Sequence, residues 1–382
     1  MILKSKNILF PLLIILFTLG VLAYYQKSKY RIRRSLSQVP FITPEFDTSK
    51  YRTNEKEVTW IIHMYPPKHN AGAEWMAHAI NLYLVREGYT VNVILPTFDI
   101  DNYQGINIYT FKDPRIPEVI SRSKVLISHL DYSEKTVRTA KNAKKPVILV
   151  MHNWLQKEKL IRYGQIYNKD NIHLIHNSEW IKNLYHSLGF NSTVVYPPVN
   201  YETYKTETTR KYVTLINLNK NKGGDILIEI ARAMPDTLFM GVIGAYDKQV
   251  LDPTVSNITY VKSTPEIKKI YGQTDILIVP SAQESWGRVA IEAMSSGIPV
   301  IAHPTEGLKE SMAQAGIFAD RDNIDEWVTA IKKLKTNETY YKKISQLCSK
   351  RARELDPEPQ LNVMKRWLEQ LQPSKELAHS YN

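Results

Sequence analysis

The sequence predicts an α/β protein: two doubly wound parallel-sheet domains facing a cleft, preceded by a transmembrane helix. Three observations predict it. From Val58 onward, short runs rich in Val and Ile alternate with amphipathic segments, the pattern of parallel strands covered by helices on both faces. The alternation pauses at Pro197–Pro198 and a polar run to Arg210, then begins again. Ahead of both lies a stretch of 20 uncharged residues, Asn7 to Gln26.

At 382 residues the chain is too long for one ordinary core, and suits two domains of roughly 150 residues each. Its formal charge of +12 invites a nucleic-acid reading. The distribution argues against it, because residues 1–44 hold seven Lys and Arg and no acid, leaving +5 over the other 338 residues. Residues 7–26 are long enough to cross a hydrocarbon core of ~30 Å as a helix, with Tyr24 and Tyr25 at the interfacial position. A cleaved signal peptide ending at Ala23 is the competing reading, and the lone Cys348 favours a reducing compartment over a secreted one. Five basic residues follow the span and two precede it. The expectation is a single-pass membrane protein with its body on the cytosolic face. Residues 1–6 then form a short tail and 27–57 a basic, polar tether.

The elements follow in order. "VTWIIHM", "YTVNVIL", "SKVLISHL", "KPVILVMHN" and "NIHLIHN" read as strands, and "GAEWMAHAINLYLVREG" and "SEWIKNLYHSLGF" as helices between them. In the first helix Trp75, His78, Ala79, Leu82 and Val85 recur at helical spacing, with Gly88 as its stop. In the second, Ser178 is the expected N-cap and Gly189 the stop. Past the boundary, "YVTLINL", "TLFMGVIG", "NITYV", "DILIVP" and "IPVIAH" read as strands, and "GDILIEIARAM", "TPEIKKIYG" and "WGRVAIEAMSSG" as helices. The tail from Asn323 to Leu371 is mostly helical, interrupted at Asp356–Pro359. The expected domains are 58–202 and 203–356, with 357–382 a C-terminal helix crossing back to the first.

Chemistry concentrates at "ESWGRVAIE", where Glu284 and Glu292 flank an apolar segment. Val289, Ala290, Ile291, Ala293 and Met294 surround Glu292, so its helix is expected to be buried. A buried carboxylate is costly without a hydrogen-bonding partner. One candidate partner is Arg288, a helical turn back; another is a ligand diol. Glu284 precedes the helix, and five helical residues rise ~7–8 Å. The two acids could therefore grip opposite ends of an extended ligand, and they do not form a close acid–base dyad.

The context gives these residues a family. "PSAQESWGRVAIEAMSSGIPVIAHPTEGLKE" resembles the C-terminal signature of retaining glycosyltransferase family 4, the glycosyl transferases group 1, whose GT-B fold has two Rossmann-like domains. The matching positions are Glu284, Glu292, Ala293–Met294, Gly297–Ile298–Pro299–Val300 and Gly307. "NAGAEWMA" resembles the family's N-terminal glycine loop, with Ala71 in place of one glycine and Gly72 retained. "NLNKNKGGD" occupies the place of its diphosphate-binding arginine and lysine; Lys222 matches the lysine, and Asn217 stands where many members have arginine. The resemblance covers about residues 58–372. It implies that Glu292 binds the nucleotide ribose, Glu284 the transferred sugar, and Lys222 the diphosphate. Backbone amides of Ser285, Trp286 and Gly287 would face the sugar and distal phosphate, as a glycine loop opening a helix does. His152, at the end of "VMHNW", would bond the donor sugar near the reaction centre, whereas His129 is read as a core or acceptor-side residue. His63 and His176 carry no assignment.

No His or Cys cluster has metal-ligand spacing, and Asp99 and Asp101 have Asp-x-Asp spacing in a poor context. The expectation is a metal-independent, retaining transfer of a hexose from a UDP-, GDP- or similar nucleotide sugar, without cofactor. The acceptor would be lipid-linked, glycan or protein, the membrane a partner through the N-terminal helix, and nucleic acid not a partner. The alternatives are a nucleotide-sugar epimerase of the same fold and a non-catalytic nucleotide-sugar-binding scaffold.

Overall fold

The computed structural model describes residues 51–69, 71–244 and 247–372. All that follows concerns the unit formed by residues 45–382. The expected span at 7–26 lies outside the described residues. Among the described residues no helix is long and apolar enough to cross a membrane; the longest, Glu338–Glu354, has 17 residues and carries charge along its length, against the ~20 apolar residues a bilayer needs. The reading as a single-pass membrane protein with a cytosolic body is corrected accordingly, and membrane attachment has no part in the function proposed below.

The first sheet contains β1 (Asn54–Ile61), β2 (Thr90–Leu95), β3 (Asn102–Tyr103), β4 (Ile106–Thr110), β5 (Ser123–His129), β6 (Val147–Met151), β7 (Ile172–His176) and β8 (Asn191–Val194). Their order is β3-β4-β2-β1-β5-β6-β7-β8. All neighbours pair in parallel except β3 and β4, a hairpin the apolar pattern misses because Gln104 and Gly105, both at positive φ, turn the chain within two residues. β1 begins at Asn54, inside the segment read as tether, because Glu57 is buried and bonded to Asn92 and Arg122. The second sheet contains β9 (Tyr212–Ile216), β10 (Phe239–Val242), β11 (Ile258–Val261), β12 (Thr274–Val279), β13 (Val300–Ala302) and β14 (Ile317–Phe318). It is parallel throughout, in the order β11-β10-β9-β12-β13-β14.

Both sheets reverse direction once. After β1, β2 and β4 the chain returns to the other side of β1 as β5; after β9, β10 and β11 it returns beside β9 as β12. At such a reversal the loops leaving the two central strands diverge, opening a crevice at the strands' C-terminal ends where open α/β sheets take ligands.

The strands are apolar because helices cover them on both sides. In the helix Gly72–Arg86, Met76, Ala77, Ile80 and Leu84 go inward, whereas Leu82 is exposed; the inward stripe lies beside the one the spacing suggested. Helix Pro357–Gln370 buries Leu361, Met364 and Leu368 in the core of the first sheet, and Asn362 accepts a 2.8 Å bond from the Tyr83 hydroxyl. The last helix is therefore packed on the half of the chain farthest from it in sequence.

Candidate functional site

The reversal in the second sheet brings Lys222 and Glu284 together. Beyond β9 the chain enters a tight turn at Lys220–Lys222, whose amide at Lys222 donates to Asn219 Oδ1 at 2.9 Å. Beyond β12 it runs through Pro280 to Gly287. Lys222 Nζ forms an ion pair with Glu284 Oε1, and Ser281 Oγ donates to the same oxygen at 3.0 Å. The side chains are 20% and 13% exposed, so solvent weakens the pair without dissolving it. Arg321, which the sequence did not single out, holds both loops: it donates to the carbonyls of Pro280 and Lys220, the latter at 2.7 Å, and to Asp225 at 3.3 Å. A lone arginine in an acidic turn gives no pattern to find it by.

Two glycines set the shape of the second loop. Gly287 has φ +87°, and a Cβ there would lie 2.4 Å from Leu308 Cδ2. At Gly307 a Cβ would meet the Glu284 carbonyl oxygen at 2.5 Å and the Ser285 carbonyl carbon at 2.3 Å. Only glycine lets the helix Glu306–Met312 approach the loop so closely.

Ser285 and Trp286 face the first half of the chain. Asn177 Nδ2 donates to Ser285 Oγ at 2.7 Å, and Trp180 Nε1 donates to the Ser285 carbonyl at 2.8 Å. The Trp286 ring is buried and stacked on Tyr196, with centroids 4.1 Å apart and planes 14° from parallel. Nearby, the Glu310 carboxylate accepts from the backbone amides of Glu179 and Trp180 at 2.8 and 3.0 Å. It caps the helix Glu179–Tyr185, while the expected cap, Ser178, donates its hydroxyl to Asn177. The loop carrying Glu284 is thereby fixed to the loops beyond β7.

Glu292 lies on the helix Arg288–Met294 and is buried. Arg288 Nε donates to its Oε1 at 2.6 Å and the Tyr271 hydroxyl to its Oε2 at 2.9 Å. Arg288 also donates to the Tyr204 hydroxyl at 2.6 Å. The helical-turn partner is therefore present, joined by a tyrosine that no local spacing shows. Burial and the neighbouring carboxylate hold the Tyr271 hydroxyl protonated, well above its usual range.

Asn217 terminates β9 at φ +70°, a conformation asparagine tolerates better than most residues. Its Oδ1 accepts from the Asn219 amide and from Gln249 Nε2, both at 3.2 Å. It organises its own loop, at the position where many members of the resembled family carry arginine.

On the first half, Gly72 opens its helix with no heavy atom within 4 Å of where a Cβ would stand, and no side chain caps the helix start at Ala71. His152 follows β6, half-buried, 3.2 Å through Nε2 from His129 Nδ1. Packing pushes the His152 pKa down to about 4, so its ring is neutral at pH 7. His129 is fully buried and held well below its usual value, by burial first and by His152 and His63 next. Next to it, burial raises the Glu74 carboxyl to about 7. His63, Glu74 and His129, distant in sequence, offer ligand atoms within 4.8 Å of one another. His176, the other unassigned histidine, lines a separate cavity with His173 and Tyr185.

Residues 201–354 match the sequence family described as glycosyl transferases group 1. Over 132 residues the chain is 32% identical to a D-inositol 3-phosphate glycosyltransferase of Segniliparus rotundus, covering 30% of this chain and 29% of that one. Over 208 residues it is 27% identical to an uncharacterized glycosyltransferase of Methanocaldococcus jannaschii, covering 52% and 58%. The chain thus spans less than two thirds of either relative. Among solved structures, Anabaena HepE in complex with UDP and glucose superposes with a TM-score of 0.68 at 16% identity, over 82% of this chain and 99% of that one. Sucrose-phosphate synthase from Thermosynechococcus elongatus superposes with a TM-score of 0.67 at 14% identity, over 82% and 99%. At those identities the likeness is one of fold. The match to the glycosyl transferases group 1 family is thus confined to residues 201–354, within a GT-B-like fold of two parallel-sheet halves.

Proposed function

We propose that the chain transfers a sugar from a nucleoside-diphosphate sugar to an acceptor with retention of anomeric configuration. The observation that carries this reading is the Lys222–Glu284 pair in the crevice between β9 and β12. Without ligand, each charge neutralises the other. A diphosphate offers an ammonium more negative charge than one carboxylate does. Its arrival draws Lys222 onto the phosphates and leaves Glu284 to accept hydrogen bonds from sugar hydroxyls. Lys222 and the amides of Ser285 to Gly287 then stabilise the departing diphosphate, as preorganised donors do at developing negative charge.

Glu292 spends part of its capacity on Arg288 and Tyr271. A carboxylate has about four acceptor positions, and the remaining ones suit ribose hydroxyls. Gly72 lets the backbone of the first half come close to the diphosphate. His152, neutral, orients the sugar by a hydrogen bond. With a pKa of about 4 it is a poor base at neutral pH. Departure of the diphosphate therefore leads, through an oxocarbenium-like state, and the acceptor hydroxyl attacks on the face the diphosphate leaves, giving its proton to the departing phosphate oxygen. Lys222 and backbone dipoles carry the diphosphate's charge, and no metal is assigned to it. Trp286 holds the halves together and Asn217 shapes its loop. The names of the matched relatives support glycosyl transfer, and the UDP in the HepE complex supports the donor class.

A non-catalytic nucleotide-sugar-binding protein is the second reading, favoured by Asn217, which adds no positive charge and whose Oδ1 is committed to its own loop. Incubating the full chain with a panel of nucleotide sugars separates the two. Transfer or slow donor hydrolysis, lost in Lys222→Ala and Glu284→Ala, is expected. Binding without turnover across the donor panel and a broad acceptor screen would establish the second reading instead, and free epimerised nucleotide sugar would establish epimerisation.

A further inference from the structure

The first sheet has its own reversal, between β1 and β5, and the proposed transfer gives no role to His63, Glu74 or His129, which cluster there. His63 follows β1, His129 ends β5, and Glu74 stands in the first turn of the helix Gly72–Arg86. We propose that His63, Glu74 and His129 form a binding site for one divalent transition-metal ion, zinc by its donor set. Among the described residues this is the one group of three or more such side chains whose ligand atoms converge.

Four features carry the inference. The first is distance: the ligand atoms lie within 4.8 Å of one another, and His63 Nε2 is 3.9 Å from Glu74 Oε1. Tetrahedral zinc with ligands at about 2.0–2.1 Å sets them about 3.3 Å apart, so closing on an ion takes shifts of about half an ångström to an ångström. The second is unmet bonding capacity. Glu74 is 2% exposed and His129 0% exposed, yet Glu74 Oε2 and His129 Nε2 have no hydrogen-bond partner. Buried polar atoms left in that state cost stability unless something else satisfies them. An ion between them does so for both.

The third feature is orientation. His129 faces His152 through Nδ1, at 3.2 Å from His152 Nε2. With the proton on Nδ1 donated to His152, His129 keeps a lone pair on Nε2, which is how metal-bound imidazoles are commonly fixed by a second partner. The Trp60 ring, 6.1 Å away edge-on, limits how far the imidazole can turn. The fourth is access: the His63 side chain keeps 21% of its surface exposed. Two histidines and one carboxylate leave a fourth position for a water or another oxygen donor, the arrangement of open rather than closed zinc sites. The site belongs to the half of the chain opposite Lys222 and does not replace it.

The test uses the full chain, stripped with a chelator and dialysed, then given Zn²⁺ alone. Calorimetric titration and elemental analysis after gel filtration should give one zinc per chain. Zn²⁺ at 100 times its dissociation constant should raise the unfolding temperature, as any ligand selective for the native state does. Co²⁺ in its place should give the visible absorption of a four-coordinate site. Glu74→Gln preserves shape and removes an anion from the interior, so it should fold, and should lose at least tenfold in Zn²⁺ affinity. His63→Gln, at a part-exposed position, should do the same. Absence of stoichiometric binding to the wild-type chain, or binding that both variants retain unchanged, would overturn the proposal.

Discussion

Replacing Lys222 with alanine tests the donor site where its electrostatics are simplest. The variant removes the ammonium and leaves Glu284 with the Ser281 hydroxyl as its remaining bond among those described here. Two unit charges about 4 Å apart at an effective dielectric of about 20 interact by about 4 kcal/mol. The lysine is 20% exposed, so solvent screening lowers this toward about 2–4 kcal/mol. If that interaction is made with diphosphate charge that grows as the bond to the sugar breaks, kcat/KM should fall by about 30- to 1000-fold. Donor binding should weaken as well, because the donor would meet an unneutralised carboxylate. Adding Glu284→Gln to Lys222→Ala should recover part of the binding and none of the turnover. The assay is release of nucleoside diphosphate from a donor sugar by the full chain, with unfolding temperatures measured alongside. A partly exposed ion pair contributes up to about 1 kcal/mol to stability, so both variants should stay folded. A folded Lys222→Ala variant within threefold of wild-type kcat/KM would refute the reasoning.

Trp286→Ala should destabilise the protein by about 3–5 kcal/mol, as loss of a buried, stacked ring does, and urea denaturation measures it; a loss under 1 kcal/mol would mean that the Tyr196 stack matters little. Asn217→Arg restores a cation where many family members have one, yet should lower the unfolding temperature without improving donor affinity, because φ +70° and the bond to Gln249 suit asparagine; a tenfold gain in affinity at unchanged stability would place this side chain on the phosphates. Burial lowers His173 and His176 from 6.5 to about 4, so between those values the unfolded chain binds more protons than the folded one. Stability should then fall as pH drops from about 6.5 to about 4, and replacing both histidines with asparagine should flatten that part of the profile; an identical slope in the double variant would contradict it.

The two sheets were legible in the sequence because their strands are buried on both faces and read as continuous apolar runs. The β3–β4 hairpin was not: its strands are short and partly exposed, and Gln104 is not a residue whose side chain announces positive φ. At the site, Glu284 and Lys222 could each be marked by motif, but their pairing depends on which strands become neighbours, and β9 and β12 are separated by two further strands in sequence. Arg288 as a partner for Glu292 follows from helical spacing, whereas Tyr271 reaches it from another helix. Trp286 shows the limit of motif reading: the motif marks its backbone, and the ring turns to Tyr196 on the other half. His63, Glu74 and His129 escape any search by spacing because they come from two strand ends and a helix start. The signal that could have found them is topological, since His63 follows β1 and His129 ends β5, the strands that flank the reversal.

The measurement that bears most directly on the central claim is time-resolved proton NMR of the full chain with a panel of α-linked nucleoside-diphosphate hexoses, without acceptor. Water then takes the acceptor's place. A retaining donor site predicts that the first sugar released from one of these donors is the α anomer, before mutarotation, and that Lys222→Ala abolishes the release. First release of the β anomer, or α release that persists in Lys222→Ala, would contradict it.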